Sequence, residues 1–122
     1  LQATEENKEA TLEFVRNEPF SNGTDRTNAF LLAHSIQPPP DVIFFMADGT
    51  GNNAPPPILA ANESKGKPVI NTIAMQTTQG AEEFAVLAEW TKGKYTIVDK
   101  EGKPIDGFDY LKNPEKYKSR LR

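Results

Sequence analysis

Apolar and polar positions alternate at helical spacing through the first third of the chain. Thr4 followed by Glu5 and Glu6 places a capping hydroxyl and two acids where a helix begins, so a helix is predicted from there. Ala10, Thr11, Phe14 and Val15 form its apolar stripe, and Pro19 with the Ser21-Asn22-Gly23 turn ends it. A second helix is predicted over 25–35, since Ala29, Leu32, Ala33 and Ile36 share one face and Thr24 or Asp25 caps it. Pro38, Pro39 and Pro40 terminate that run because proline lacks the amide donor.

The pattern then changes. Residues 41–47 (DVIFFMA) are a near-continuous apolar run, read as a strand covered on both faces, and DGTGNNAPPP after it is loop chemistry. A short helix is expected over 58–64, with Pro57 near its first turn and Gly66 beyond its end. Segments 69–78, 83–91, 94–99, 104–111 and 116–122 alternate or run apolar between turn signals at Lys92-Gly93, 99–102 and 113–115. Helices first and strands later predict an α+β fold, with a curved antiparallel sheet wrapped around the N-terminal helices as a single domain over 1–122.

Composition narrows the function classes. With 122 residues and 37% hydrophobic content the chain supports one small soluble domain. Fourteen basic against seventeen acidic residues give no electrostatic footprint for nucleic acid, so no nucleic-acid partner is expected. The longest apolar run falls far short of the roughly 20 residues that cross a bilayer, so no membrane span is expected. Zero cysteines remove disulfides, thiolate metal sites and thiol nucleophiles, and one histidine removes a multi-histidine cage. The chain opens on Leu1, which predicts removal of an upstream segment; a cytoplasmic location is the favoured expectation, with a lost targeting peptide left open.

Several phrases resemble the nuclear transport factor two-like superfamily in its SnoaL-like polyketide cyclase branch. ENKEATLEFVRNEPFSNGTD is similar to that branch's opening helix and turn, and Asp41-Val42-Ile43-Phe44 to the strand after its second helix. FAVLAEWTKG, Gly102-Lys103-Pro104-Ile105 and Gly107-Phe108-Asp109-Tyr110 resemble its consecutive strands, with KYKSRLR as the closing one. The resemblance implies a cone-shaped α+β barrel enclosing an apolar pocket for a lipophilic small molecule. It also implies cofactor-free isomerisation, cyclisation or hydration by carboxylate acid/base chemistry. The triple proline and the DGTGNNAPPP loop depart from the family and leave the pocket mouth open to question.

Strand parity sets Glu89 and Asp109 each in an otherwise apolar row, where desolvation raises a carboxyl pKa toward neutrality. Asp109 also lies in the phrase where the family carries its acid, so it is the first candidate for general acid/base, with Glu89 second. Either acid equally fits an ion pair across an exposed sheet face. His34 is a third candidate, as a proton carrier or as a cation compensating a helix C-terminus. Trp90, Tyr110, Phe44 and Leu87 are the candidate ligand-binding residues, and they fit core or dimer-interface positions as well.

Two other phrases carry less. VIFFMADGTG resembles the strand and Asp-Gly that open alkaline-phosphatase-like enzymes, but such sites need several further Asp and His ligands and a larger domain. Gly49-Thr50-Gly51 lacks the downstream Gly and Lys-Ser/Thr of a phosphate loop. The alternative to the enzyme is a noncatalytic interaction or assembly subunit, a homodimer or one that binds another protein, using the same fold as scaffold.

Overall fold

The computed structural model describes residues 2–19, 26–48, 55–64 and 66–121. Helix α1 (Glu5–Asn17) starts at the predicted cap, with the Asn7 amide donating to Thr4 Oγ1 at 3.2 Å. Helix α2 (Arg26–Ser35) follows, then strand β1 (Val42–Ala47), helix α3 (Pro55–Ser64) and strand β2 (Val69–Met75). Asp25 and the Ser21-Asn22-Gly23 turn lie outside the described residues, as do the Gly49-Thr50-Gly51 triplet and Arg122.

The second half departs from the expected meander. Residues 83–91, read as a strand, belong to helix α4 (Ala81–Trp90). Ala81, Phe84, Ala85, Leu87 and Ala88 are its buried residues, a 3.6-residue period written in alanine, glutamate and leucine. Strand β3 (Tyr95–Val98) matches expectation, but 104–111 is divided between a short strand β4 (Pro104–Asp106) and helix α5 (Gly107–Lys112). Asp106 forces that switch, since its carboxylate accepts from the Phe108 and Asp109 amides and caps α5. The closing strand is instead helix α6 (Pro114–Leu121), with proline at its first position.

The sheet runs β1-β2-β3-β4. β1, β2 and β3 are parallel, in register from Val42 beside Val69 and from Thr72 beside Tyr95, and only β4 is antiparallel, with Ile97 beside Ile105. Parallel neighbours require crossovers, which α3 and α4 supply. The fold is thus mixed α+β, with an uncurled sheet of four strands where a wrapped antiparallel one was expected.

Helices pack on one face of this sheet. Ile70, Thr72, Ala74, Tyr95, Ile97 and Ile105 are buried there. Phe30, Ile58, Leu59 and Leu87 close one apolar cluster, while Phe84, Ala85, Ala88 and Tyr117 close the other. A row of rings crosses the molecule: Phe30 to Phe45 at 4.9 Å, Phe45 to Phe84 at 5.7 Å, Phe84 to Tyr95 at 5.9 Å, and Tyr95 edge-on to Phe108 at 6.1 Å. Two glycines permit the closest approaches. A Cβ on Gly93 would stand 1.9 Å from the Ile70 carbonyl oxygen, and one on Gly107 would stand 2.2 Å from the Tyr95 ring.

β1 was expected to be covered on both faces, and it is not. Ile43, Phe45 and Ala47 turn toward the helices, while Val42, Phe44 and Met46 are 43%, 72% and 58% exposed. By strand parity the same open face carries the half-buried Val69, Ile73 and Met75 of β2 and Val98 of β3. Residues of β1, β2 and β3 include no charge.

Candidate functional site

The candidate acids end on different elements with different surroundings. Asp109 occupies the first turn of α5 and faces α6. Its carboxylate accepts from Asn113 Nδ2 at 2.8 Å, from Lys116 Nζ at 2.6 Å and from the Tyr117 hydroxyl. The Lys116 ammonium, with the Tyr117 hydroxyl and the Asn113 amide behind it, holds this carboxyl far below the usual carboxylate range, and the same contact pushes Lys116 upward. The raised pKa expected of an acid between apolar walls is therefore not what Asp109 has. At neutral pH it is an anion tying α5 to α6.

Glu89 is exposed on α4, one residue before its end. It lines a groove of about 570 Å³ with Ala85, Lys92, Gly93, Phe108 and Leu111, between α4 and α5. Asp109 is not among the residues lining that groove, so the two carboxylates share no site.

His34 is buried in α2. Its Nδ1 lies 2.6 Å from the Phe30 carbonyl oxygen and its Nε2 lies 2.9 Å from Asn62 Oδ1, while Asn62 Nδ2 donates to the Pro68 carbonyl at 3.3 Å. The imidazole thus joins α2, α3 and the start of β2, away from both acids.

The four candidate ligand-binding residues also scatter. Leu87 is core beneath α4, Trp90 is exposed at its end, and Tyr110 is half-buried with its ring 6.4 Å from that of Tyr117. Phe44 stands alone among them on the open sheet face. No enclosed hollow gathers them.

Three polar arrangements had no reading in the sequence. Asp99, just past β3, is buried, and its carboxylate accepts from the Glu101 and Lys103 amides at 3.0 and 2.8 Å and from Arg120 Nε at 2.8 Å. Burial alone would raise its pKa, yet the amide and guanidinium donors hold it below the ordinary value. The Asp-Lys-Glu-Gly spelling of this turn was the available signal, since an aspartate starting a turn commonly caps its own backbone. Arg26 is 2% exposed, and its Nη1 donates to Glu83 at 2.9 Å. The third is the His34–Asn62 link, for which a lone histidine gives no spacing to follow.

In open sheets with parallel strands, ligands gather beyond the carboxyl ends of the strands. Here Asp48 follows β1, Thr77 and Thr78 follow β2, and Asp99 follows β3, already engaged by its turn and Arg120. Among the described residues no group of three His, Cys, Asp or Glu side chains could hold a metal ion. No described helix is long and apolar enough to cross a membrane. Compared with known proteins, the chain matches no family model, no curated protein and no solved structure.

Proposed function

We propose that this chain is an interaction module whose working surface is the open face of the sheet at β1 and β2. One observation carries the reading: Val42, Phe44 and Met46 project to solvent beside Val69, Asn71 and Ile73, with Met75 beyond them, on a face of the sheet that no described helix covers. All-parallel sheets occur almost only with both faces covered, and the three parallel strands of this mixed sheet leave one face open with a contiguous set of apolar side chains, so this face calls for a partner. Both methionines of the chain, Met46 and Met75, are on it. Thioether side chains adapt to a partner's contour and recur at binding surfaces. The reading is of a noncatalytic surface, to which Val42, Phe44, Met46, Val69, Ile73 and Met75 bring no acid, base or nucleophile.

Methionine oxidation tests this. Dilute peroxide should oxidise Met46 at the rate of free methionine in the purified, diluted chain, and several-fold more slowly in intact cells expressing it. Equal rates in both settings would overturn the proposal.

A second reading, small-molecule binding as the cyclase-like resemblance implies, draws support from the groove at Glu89. A thermal-shift screen with steroid-like, polyketide-like and terpenoid compounds tests it. A Tm rise that disappears in Glu89→Gln would favour it, and a flat screen would remove it.

A further inference from the structure

Helix α1 is the second unpartnered apolar surface of the molecule. None of its residues is buried, and Leu12, Phe14 and Val15 are all exposed. At 100° per residue, Ala10, Thr11, Phe14 and Val15 fall on one side with Asn7 among them and Lys8 at the edge, while Glu5, Glu9, Leu12, Glu13 and Arg16 fall on the other. A helix of this length is marginal in water without packing, so its apolar side needs a cover.

We infer that helix α1 of a second copy of this chain covers the open sheet face, reciprocally, so that two copies form a closed two-fold dimer. This rests on the reading of that face as an interaction surface. The dimensions agree, since a 13-residue helix is about 20 Å long and so is a six-residue strand. So does the charge distribution, because β1, β2 and β3 bring no charged side chain to the contact and the acids of α1 remain in water. An amphipathic helix laid on an apolar surface through residues three and four apart is a common mode of recognition. Exchange in both directions makes two helix-on-sheet contacts, against one when a helix folds back on its own sheet, and stable interfaces bury about 1,200–2,000 Å² in total. In the single chain α1 stands away from the sheet, and α2, to which it leads, packs on the opposite face through Phe30 and Phe45. The two-fold closure also occupies α1 and the sheet face of both copies, so neither of these two surfaces is left to recruit a third.

The chain has no cysteine, so introduced thiols report directly. Sedimentation of the intact chain should show a dimer, with Phe14→Glu and Phe44→Glu each weakening it at least about tenfold. Because both positions are exposed, these variants should keep the melting temperature of the monomer. Mixing Phe14→Cys chains with Met46→Cys chains under mild oxidation should give a covalent heterodimer joined between those two positions. Four outcomes would overturn the inference: a disulfide within one chain of Phe14→Cys/Met46→Cys; a disulfide only between two Phe14→Cys helices; a monomer with Met46 protected in cells; and a monomer with Met46 equally oxidised everywhere. The third leaves the sheet face as an interaction surface with a different occupant, the second moves the contact to α1, and the first and the last remove that reading too.

Discussion

The Arg26 guanidinium rests on the ring of Phe84, its carbon 5.4 Å from the centroid, while its Nη1 reaches the Glu83 carboxylate at 2.9 Å. One side chain thus joins the first turns of α2 and α4, held by an aromatic face and by an acid that is 41% exposed. Its Nε and Nη2 are buried and find no hydrogen-bond partner among the described residues.

That arrangement predicts unequal costs for its two halves. Glu83→Gln leaves a buried cation without its counter-charge and should cost about 1–2 kcal/mol, the exposure of Glu83 softening the loss. Arg26→Met removes the charge together with the unpartnered nitrogens and keeps the packing, so it should fall within about 1 kcal/mol of the native chain. Urea unfolding of both variants checks the order, and a larger loss in Arg26→Met contradicts it.

The Asp109–Lys116 pair fixes a pH window. The folded carboxyl titrates below its unfolded value, so its contribution is complete above about pH 4 and is lost as pH falls further. Lys116 titrates above its unfolded value, so its contribution is complete below about pH 10 and is lost above that. The stability difference between the native chain and Asp109→Asn should therefore be flat between those limits and shrink on the acid side. Chemical unfolding at pH 2.5, 4 and 7 measures it, and a difference growing toward acid would refute the pairing.

Gly93→Ala should be the costliest glycine substitution, about 3 kcal/mol, because the new methyl meets backbone at Ile70 rather than a side chain that can move. Gly102→Ala meets nothing within 4 Å and pays only for its positive φ of 76°, about 1 kcal/mol. Melting temperatures of the two variants give the ranking directly.

Tyr95 carries a buried hydroxyl with no hydrogen-bond partner, and burial pushes its pKa up to about 12, with the neighbouring Tyr110 adding to it. Tyr95→Phe should be neutral or stabilising by up to about 1 kcal/mol near neutral pH. The unfolded tyrosine ionises near pH 10 and the folded one later, so the native chain loses stability above pH 10. That alkaline loss should be smaller in Tyr95→Phe, as thermal melts between pH 8 and 11 would show.

Where the sequence was legible, local chemistry and tertiary packing agreed. Thr4 and its acids, the β1 run as a strand and the start of β2 were readable; the helical period of α1 was readable too, but not its exposure, since none of its residues is buried. α4 was misread because Phe84, Val86, Ala88 and Trp90 satisfy a two-residue period, whereas the buried set is Ala81, Phe84, Ala85, Leu87 and Ala88. Alanine and glutamate content was the signal for helix, and it was outweighed by the aromatics. The same error carried Glu89 and Asp109 onto strands and gave both acids an apolar row that does not exist. Asp106 was the missing clue to α5, since a cap three residues before Asp109 ends a strand as surely as it begins a helix.

Phe45 touches both groups of packed side chains, meeting Phe30 on one side and Phe84 on the other. Neither half holds enough apolar mass to stand by itself. The whole body should consequently melt in a single cooperative step, and cutting this ring back to alanine should lower the temperature of that step without dividing it.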